Sequence, residues 1–444
     1  MEILIKAGQF ILSLSLLIIL HEMGHFLFAR LFNTRVEKFY LFFNPWFSLF
    51  KKKIGDTEYG VGWLPLGGYV KISGMIDESM DKEQMKQPPQ PYEFRSKKSY
   101  QRLLIMLGGV LVNFIFALVI YSMVLYTWGE KYLPVKNMTY GIMVDSTGMD
   151  LGLRNGDKIL SVDGREVENY MSIVHDIVVD EAQTLQIMRN GRQMEVELPE
   201  NAIAKLIKSD LPILPRMPFY IDGFSDPDSS AWRAGVRQGD RVIGINDIQT
   251  EFFDEFKTEI GDFRNEQVIL TLVRNDEDTV KAQVPVSEKG TIGVMADLDL
   301  TRFFELEEKK YSLAESIPAG INKGYNMISS YLKQMKLLFK PETRAYEEIG
   351  GFLKIGSIFP GVWDWQAFWN LTAFLSIILA IMNILPIPAL DGGHVAFLMY
   401  EIITGRKPGD KFLEYAQIAG MIILLTLLVY ANGNDIINLI KKTF

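Results

Sequence analysis

Phe10-Ile-Leu-Ser-Leu-Ser-Leu-Leu-Ile-Ile-Leu-His21-Glu22-Met-Gly-His25-Phe-Leu-Phe-Ala-Arg30 sets two histidines and a glutamate into a run otherwise apolar enough to cross a bilayer. On a helix, residues four apart share a face, so His21 and His25 can hold one metal ion while Glu22 lies a step round the turn beside it. His-Glu-x-x-His is common by chance in soluble sequences. Within a hydrocarbon span, however, an acidic group costs at least ~2.5 kcal/mol, and three ionisable groups together call for a function. The alternative is a pair of core histidines hydrogen-bonded to neighbouring helices. The stretch thus predicts a metal-dependent hydrolytic centre inside a membrane helix.

The rest of the composition agrees with that setting. Of 444 residues, 48% are hydrophobic and the mean hydropathy is +0.10, high for a wholly soluble chain of two to four domains. A formal charge of −8 and the lack of a long basic run exclude a nucleic-acid partner. With no cysteine, thiolate metal sites, disulfides and cysteine nucleophiles are all excluded, which leaves nitrogen and oxygen ligands. The chain has four histidines, His21, His25, His175 and His394. The apolar N-terminus runs on into the His-Glu motif without a small-residue cleavage site and reads as retained.

Outward from the motif, residues 3–32 form the first predicted span of an N-terminal membrane region (1–128). Arg30, Arg35, Lys38 and Lys51 to Lys53 follow it, and Arg95, Lys97, Lys98 and Arg102 precede the next span, which places the intervening segment in the cytoplasm and the N-terminus outside. Within that segment, residues 58–75 are apolar, glycine-rich and too short to span. They predict a re-entrant β-hairpin dipping in beside the metal site, with an ordinary cytosolic hairpin as the alternative. An exposed edge there can pair with an extended substrate backbone. Asp77 to Lys98, with Pro88, Pro89 and Pro91, reads as a linker or lid. Residues 103–128 form the second span; Gly108 and Gly109 allow close helix approach, and Asn113 is expected to make an interhelical hydrogen bond.

From Lys131 to about Leu300 the composition turns soluble and a repeat appears. Leu151-Gly-Leu-Arg-Asn-Gly156-Asp-Lys-Ile-Leu-Ser-Val-Asp-Gly164 matches Ala234-Gly-Val-Arg-Gln-Gly239-Asp-Arg-Val-Ile-Gly-Ile-Asn-Asp247. Each copy is a turn feeding a buried strand, so two small β-rich domains are predicted, 130–212 and 213–300, with Tyr140 to Val144 and Phe219 to Gly223 as candidate first strands. Each copy resembles the PDZ module, which binds peptide termini by strand addition. Leu153 and Val236 would then pack beneath the turn, and His175 is a surface or groove residue. An amphipathic linker (301–362) follows, with an interfacial helix predicted over Ile317 to Phe339. The C-terminal membrane region (363–444) opens on an aromatic belt, Trp363, Trp365 and Trp369, at the mouth of a third span (368–390). That span ends in Asn383-Ile-Leu-Pro386-Ile-Pro388-Ala-Leu-Asp391-Gly-Gly-His394. Its prolines unwind the helix, which is tolerated at membrane depth only where freed backbone lines a site. A shorter fourth span (416–431) returns the C-terminus outside.

A catalytic zinc keeps three protein ligands and an open position for water. His21 and His25 supply two. The first and third spans both run inward, so Asp391 arrives at a similar depth and is the preferred third ligand over His394 and Glu401. Glu22 would take the proton of the attacking water and pass it to the leaving amine. Asn383 either holds the substrate or the developing oxyanion, or caps backbone freed by Pro386.

His21-Glu22-x-x-His25 in a first span, Leu66-Gly67-Gly68-Tyr69 in a re-entrant hairpin, two PDZ-like copies, and Asn383-x-x-Pro386-x-Pro388-x-Leu390-Asp391-Gly392-Gly393 together resemble the site-two protease family of intramembrane zinc metalloproteases, most closely its regulator-of-sigma-E protease (RseP) subgroup. The resemblance implies a polytopic α-helical protein of the bacterial inner membrane, with four spans and two PDZ-like domains inserted on the periplasmic side. It implies Zn2+ on His21, His25 and Asp391, Glu22 as base, and substrate contact by Asn383, Pro386, Pro388 and the hairpin residues Leu66, Gly67, Gly68 and Tyr69. Implied substrates are single-span membrane proteins, such as pre-cleaved anti-sigma factors or leftover signal peptides, with the PDZ-like pair as an outside size filter. Membrane lipid, and peptide termini at the PDZ-like grooves, are the other expected partners. Gly109-Val110-x-x-Asn113 departs from the family's Gly-Pro-x-x-Asn, and Gly350-Gly351 stands where a Gly-Pro is usual. The competing reading is a catalytically idle membrane scaffold that binds envelope peptides. An ion transporter is disfavoured, since it would not need His-Glu-x-x-His and the chain lacks matched repeats of spans.

Overall fold

In the computed structural model, which describes residues 1–65, 67–75, 87–209, 211–275 and 277–443, the opening apolar run forms one unbroken helix, α1 (Glu2–Leu31). Three more helices among the described residues are long and apolar enough to cross a membrane: α2 (Ser99–Trp128), α5 (Trp365–Ile384) and α7 (Asp410–Thr443). These belong to a first compact unit, residues 1–129, 310–335 and 346–444; a second unit comprises 130–309 and 336–345.

The predicted third span breaks at its prolines as expected, though short of the end taken for it. Helix α5 ends at Ile384 rather than near 390, because Pro386 and Pro388 cannot donate to a continuing helix. The chain then turns through Ala389, left-handed at φ 81°, and restarts as α6 (Asp391–Thr404). The fourth span, expected over 416–431, runs as a single helix to Thr443. Its polar residues near the end have a structural task. Asn432 Oδ1 accepts from the amide of Phe352, and Asp435 Oδ2 from those of Leu353 and Lys354, which caps the short helix α4 (Phe352–Ser357). The amphipathic stretch forms α3 (Leu313–Leu338), packed on α2 where Gly320 and Gly324 admit Ser122 and Leu118.

Between α1 and α2 lies a four-stranded sheet of β1 (Val36–Leu41), β2 (Phe50–Ile54), β3 (Thr57–Val61) and β4 (Tyr69–Ile72), in the order β2-β3-β1-β4. This corrects the hairpin expected over 58–75. Strands β3 and β4 do not pair with each other; both pair with β1, β3 in parallel and β4 antiparallel. Val36 to Leu41, not expected as a strand, offers two free edges, so the glycine-rich connection crosses over β1 instead of folding back. Gly62 permits the crossing, since a Cβ there would fall 2.1 Å from the Phe43 carbonyl oxygen.

The second unit holds two copies of one topology. Strands 158–162, 165–166, 184–189 and 192–197 form one four-stranded sheet, and 241–245, 248–249, 267–274 and 278–285 form another in the equivalent order. Each copy has its own apolar core, with Leu153 and Val236 fully buried. The repeated Gly-Asp has a physical reason. Asp157 accepts from the Arg154 amide and clamps the Arg189 guanidinium at 2.7 and 2.8 Å; Asp240 does the same with Arg237 and, at 2.8 Å, Arg274. These carboxylates hold both guanidinium pKa values above the ordinary one. The expected linker beginning at 301 also shifts. Strand 307–309 pairs with 130–132 inside this unit, Lys309 opposite Glu130, so the chain enters and leaves it side by side.

Candidate metal centre

Helices α1 and α2 cross with almost no space between them. A Cβ on Gly24 would sit 2.2 Å from the Gly108 carbonyl oxygen, so only glycine fits. The next residue, Gly109, faces both imidazoles: its Cβ would fall 2.5 Å from His25 Nε2 and 2.8 Å from His21 Nδ1. The missing side chain leaves room for the rings. From the other side, Gly392 and Gly393 let α6 begin directly over the turn, with Cβ positions 2.1 Å from the Leu385 oxygen and 2.6 Å from Pro388 Cα. Asp391 therefore opens α6, where the helix N-terminus favours a carboxylate.

These two arrangements bring three ligand atoms together. His21 Nε2 and His25 Nε2 lie 3.1 and 3.2 Å from Asp391 Oδ2 and 3.3 Å from each other. A tetrahedral zinc with bonds near 2.05 Å holds its ligand atoms roughly 3.3 Å apart, so the triangle fits the ion. Among the described residues Asp391 Oδ2 is also buried without a hydrogen-bond donor, an acceptor that a cation would satisfy. His25 Nδ1 donates to the Ile105 carbonyl at 2.9 Å, which turns its Nε2 to the cluster. His21 Nδ1 lies 3.4 Å from the Asn113 amide nitrogen.

Glu22 lines a cavity of about 350 Å³ beside the cluster, with His394, Gly68, Tyr69 and β4 on its walls. Gly68 presses close enough that a Cβ would meet Ile18 and come 3.4 Å from Glu22 Cγ. Tyr69 stacks on Tyr40 at 5.3 Å and donates to Asn44. Gly67, at φ 150°, packs over Phe43, and Leu66 lies outside the described residues. The Asn383 amide reaches His21 Nε2 at 3.2 Å, turned to the cluster and not to the backbone freed by Pro386. Pro386 is exposed in the turn, and the Pro388 carbonyl packs on Gly420 of α7. Glu401, weighed as a ligand, is engaged elsewhere: Arg102 binds it at 2.5 Å and Ser99 at 3.0 Å. His175 is exposed beside Asp176. Sequence reasoning expected an interhelical hydrogen bond from Asn113 but not that its partner is His21, and missed the contact of Ile105 with His25; the paired glycines marked a close crossing but not its rotation.

Four candidate spans and a buried two-histidine, one-carboxylate cluster flanked by a glutamate define a membrane-embedded metal-dependent hydrolase. Residues 9–427 match Peptidase family M50, and the chain belongs to that family. It is 28% identical to the regulator of sigma E protease of Haemophilus influenzae over 99% of this chain and 100% of that protein. It is 26% identical to protease RseP of Yersinia pestis, over 98% and 99% of the two chains. A Rickettsia conorii protein named "Putative zinc metalloprotease RC0203" is 28% identical over 97% and 98%. The chain is a zinc metalloprotease with membrane-spanning helices.

Proposed function

We propose that this protease hydrolyses peptide bonds within the transmembrane segments of single-span membrane proteins, with His21, His25 and Asp391 as zinc ligands and Glu22 as general base. The carrying observation is the 3.1–3.3 Å triangle of ligand atoms beside Glu22 and between candidate spans. Bound there, zinc supplies a Lewis acid that polarises the scissile carbonyl and lowers the pKa of water towards ~7. Glu22 takes the proton from the attacking water and returns it to the leaving amine. Asn383 donates to the substrate backbone or to the oxyanion. Pro386 and Pro388 hold the turn that carries Asp391.

A transmembrane helix hides its peptide bonds in its own hydrogen bonds, so the substrate must be extended before attack. Strand β4 supports that step. It is an edge strand whose four residues line the cavity, and an unwound segment added to it would pass the zinc as a fifth strand. Gly67, Gly68 and Tyr69 lead into that edge; Leu66 joins them in the proposal by its place in the sequence. The substrate class includes pre-cleaved anti-sigma factors and remnant signal peptides. The repeated β-rich copies are PDZ-like modules that face the periplasm and exclude substrates with bulky outside domains. The basic segment between α1 and α2 faces the cytoplasm.

The test is cleavage of a single-span reporter by purified wild type and Glu22→Gln. The variant is expected to keep its zinc and lose activity by about 10²–10⁴-fold. Equal cleavage by both would overturn the mechanism. Asp391→Ala is expected to lose zinc; full zinc content and activity would remove Asp391 from the ligand set.

A further inference from the structure

One edge of the β1–β4 sheet lines the metal cavity, and the opposite edge, β2, has all five residues exposed. Around it stand Trp46, 91% exposed, and the exposed Phe47, Leu49, Phe50 and Ile54. Trp46 and Phe47 both stack on Trp63, with centroids 6.0 and 5.8 Å apart, and Trp63 Nε1 donates to the Pro45 carbonyl at 2.8 Å. The apolar groups are thus held outward by a built tip. Lys51, Lys52 and Lys53 follow on the same strand. Lys51 lies opposite Gly60 and Lys52 opposite Tyr59; only Lys53 faces an acid, Glu58, which already accepts from Tyr40.

The register places these groups against the membrane span. Helix α1 has 30 residues, about 45 Å of length against a hydrocarbon core of roughly 30 Å. The surplus puts its ends in the headgroup zones. Near one end, Phe26 packs on Phe39 and Tyr59 at 5.7 and 6.1 Å, and Tyr59 is the cross-strand partner of Lys52. The lysines therefore stand where the helix leaves the hydrocarbon. Phe50 pairs with Val61 one step deeper, and the Trp46–Phe47 tip precedes it. Deeper along α1, Gly68 faces Ile18 and Glu22, which a Cβ at that position would meet.

We infer that the β2 edge is a docking surface for anionic phospholipid. Trp46, Phe47 and Phe50 enter the acyl boundary, and the ammonium groups of Lys51, Lys52 and Lys53 bind lipid phosphates. Lysines on an edge strand also discourage sheet extension, but that role leaves an outward-held tryptophan stack in water without a reason. A substrate peptide is the weaker occupant, because the substrate-bearing cavity lies at the opposite edge. Anchored at β2, the sheet would hold its β4 edge at a fixed depth beside the zinc.

The experiment uses the full-length protein with dansyl-labelled phosphatidylglycerol and phosphatidylcholine, measuring which lipid is retained through purification; this lipid readout needs neither zinc nor substrate, so its outcome is separate from that of the proposed protease mechanism, and reporter cleavage serves only as a second readout. Wild type is expected to prefer phosphatidylglycerol, and the Lys51→Gln/Lys52→Gln/Lys53→Gln variant to lose that preference by about fivefold or more. The corresponding arginine triple variant is expected to keep it. A glutamine variant with wild-type preference overturns the inference. So does a glutamine variant that cleaves the reporter poorly even in pure phosphatidylcholine vesicles, a result that assigns the lysines to the substrate.

Discussion

Asn113 decides how His21 presents itself. With Nε2 committed to a metal, Nδ1 carries the hydrogen and needs an acceptor. The nearest group is the Asn113 amide, whose nitrogen lies 3.4 Å away while its Oδ1 is buried without a partner among the described residues. Turning that amide about its terminal bond exchanges oxygen for nitrogen and sets Oδ1 to accept from the Nδ1 hydrogen. Ser376 Oγ donates to the Asn113 carbonyl at 2.8 Å and holds the helix in place. Asn113→Leu keeps the volume and removes the acceptor, so zinc affinity is expected to fall about 10–100-fold in competition with a chelator. An unchanged affinity would reduce Asn113 to a packing residue. Gly109→Ala is the harsher change: its Cβ would lie 2.5 Å from His25 Nε2, and metal content by atomic absorption is expected to drop to background.

At the scale of elements, the duplicated copies rest on the same buried clamp. Asp240, 1% exposed at its side chain, holds Arg274 and the Arg237 amide, so its removal strands a guanidinium and opens a turn. Loss of one partner of such a pair costs about 3 kcal/mol, and Asp240→Ala is expected to lower the unfolding temperature of this unit by about 6–12 °C in calorimetry of the full chain. A shift under about 2 °C would mean the clamp is solvated. The repeated Gly-Asp was legible because it recurs with its glycines in register. Sheet order was not. Val36-Glu-Lys-Phe-Tyr-Leu carries charges and only a short alternation, so nothing local marked it as the strand that separates β3 from β4. Nor could the unbroken course of α7 be read, since Asn432, Gly433 and Asn434 signal a helix end unless the cap that Asn432 makes on α4 and the hydrogen bonds of Asn434 to the Glu347 and Ile349 carbonyls are known.

For the whole molecule, the sequence led to the expectation that the first and third spans run in parallel and deliver His21, His25 and Asp391 to one depth; the structure brings the three ligand atoms together, although about 370 residues separate Asp391 from the histidines. Rotation of each helix about its axis was beyond the sequence, because apolar residues surround every face of a buried span; the contacts of Ile105, Asn113 and Asn383 with the imidazoles depend on that rotation. The second unit has a simpler relation to the chain. Its first and last strands pair with Lys309 opposite Glu130, so residues 130–309 form an insertion whose ends are neighbours. Cross-strand partners lie ~5 Å apart, and a Gly-Ser linker of about four residues spans that gap without pulling on α2 or α3. All three cluster residues lie in the first unit. Replacing 130–309 by such a linker is therefore expected to leave zinc content intact. If the inserted unit is a size filter, the shortened protein cuts a single-span reporter bearing a folded outside domain that the wild type leaves whole, and both cut the trimmed reporter. Retained zinc with continued refusal of the bulky reporter would place substrate selection within the membrane unit itself.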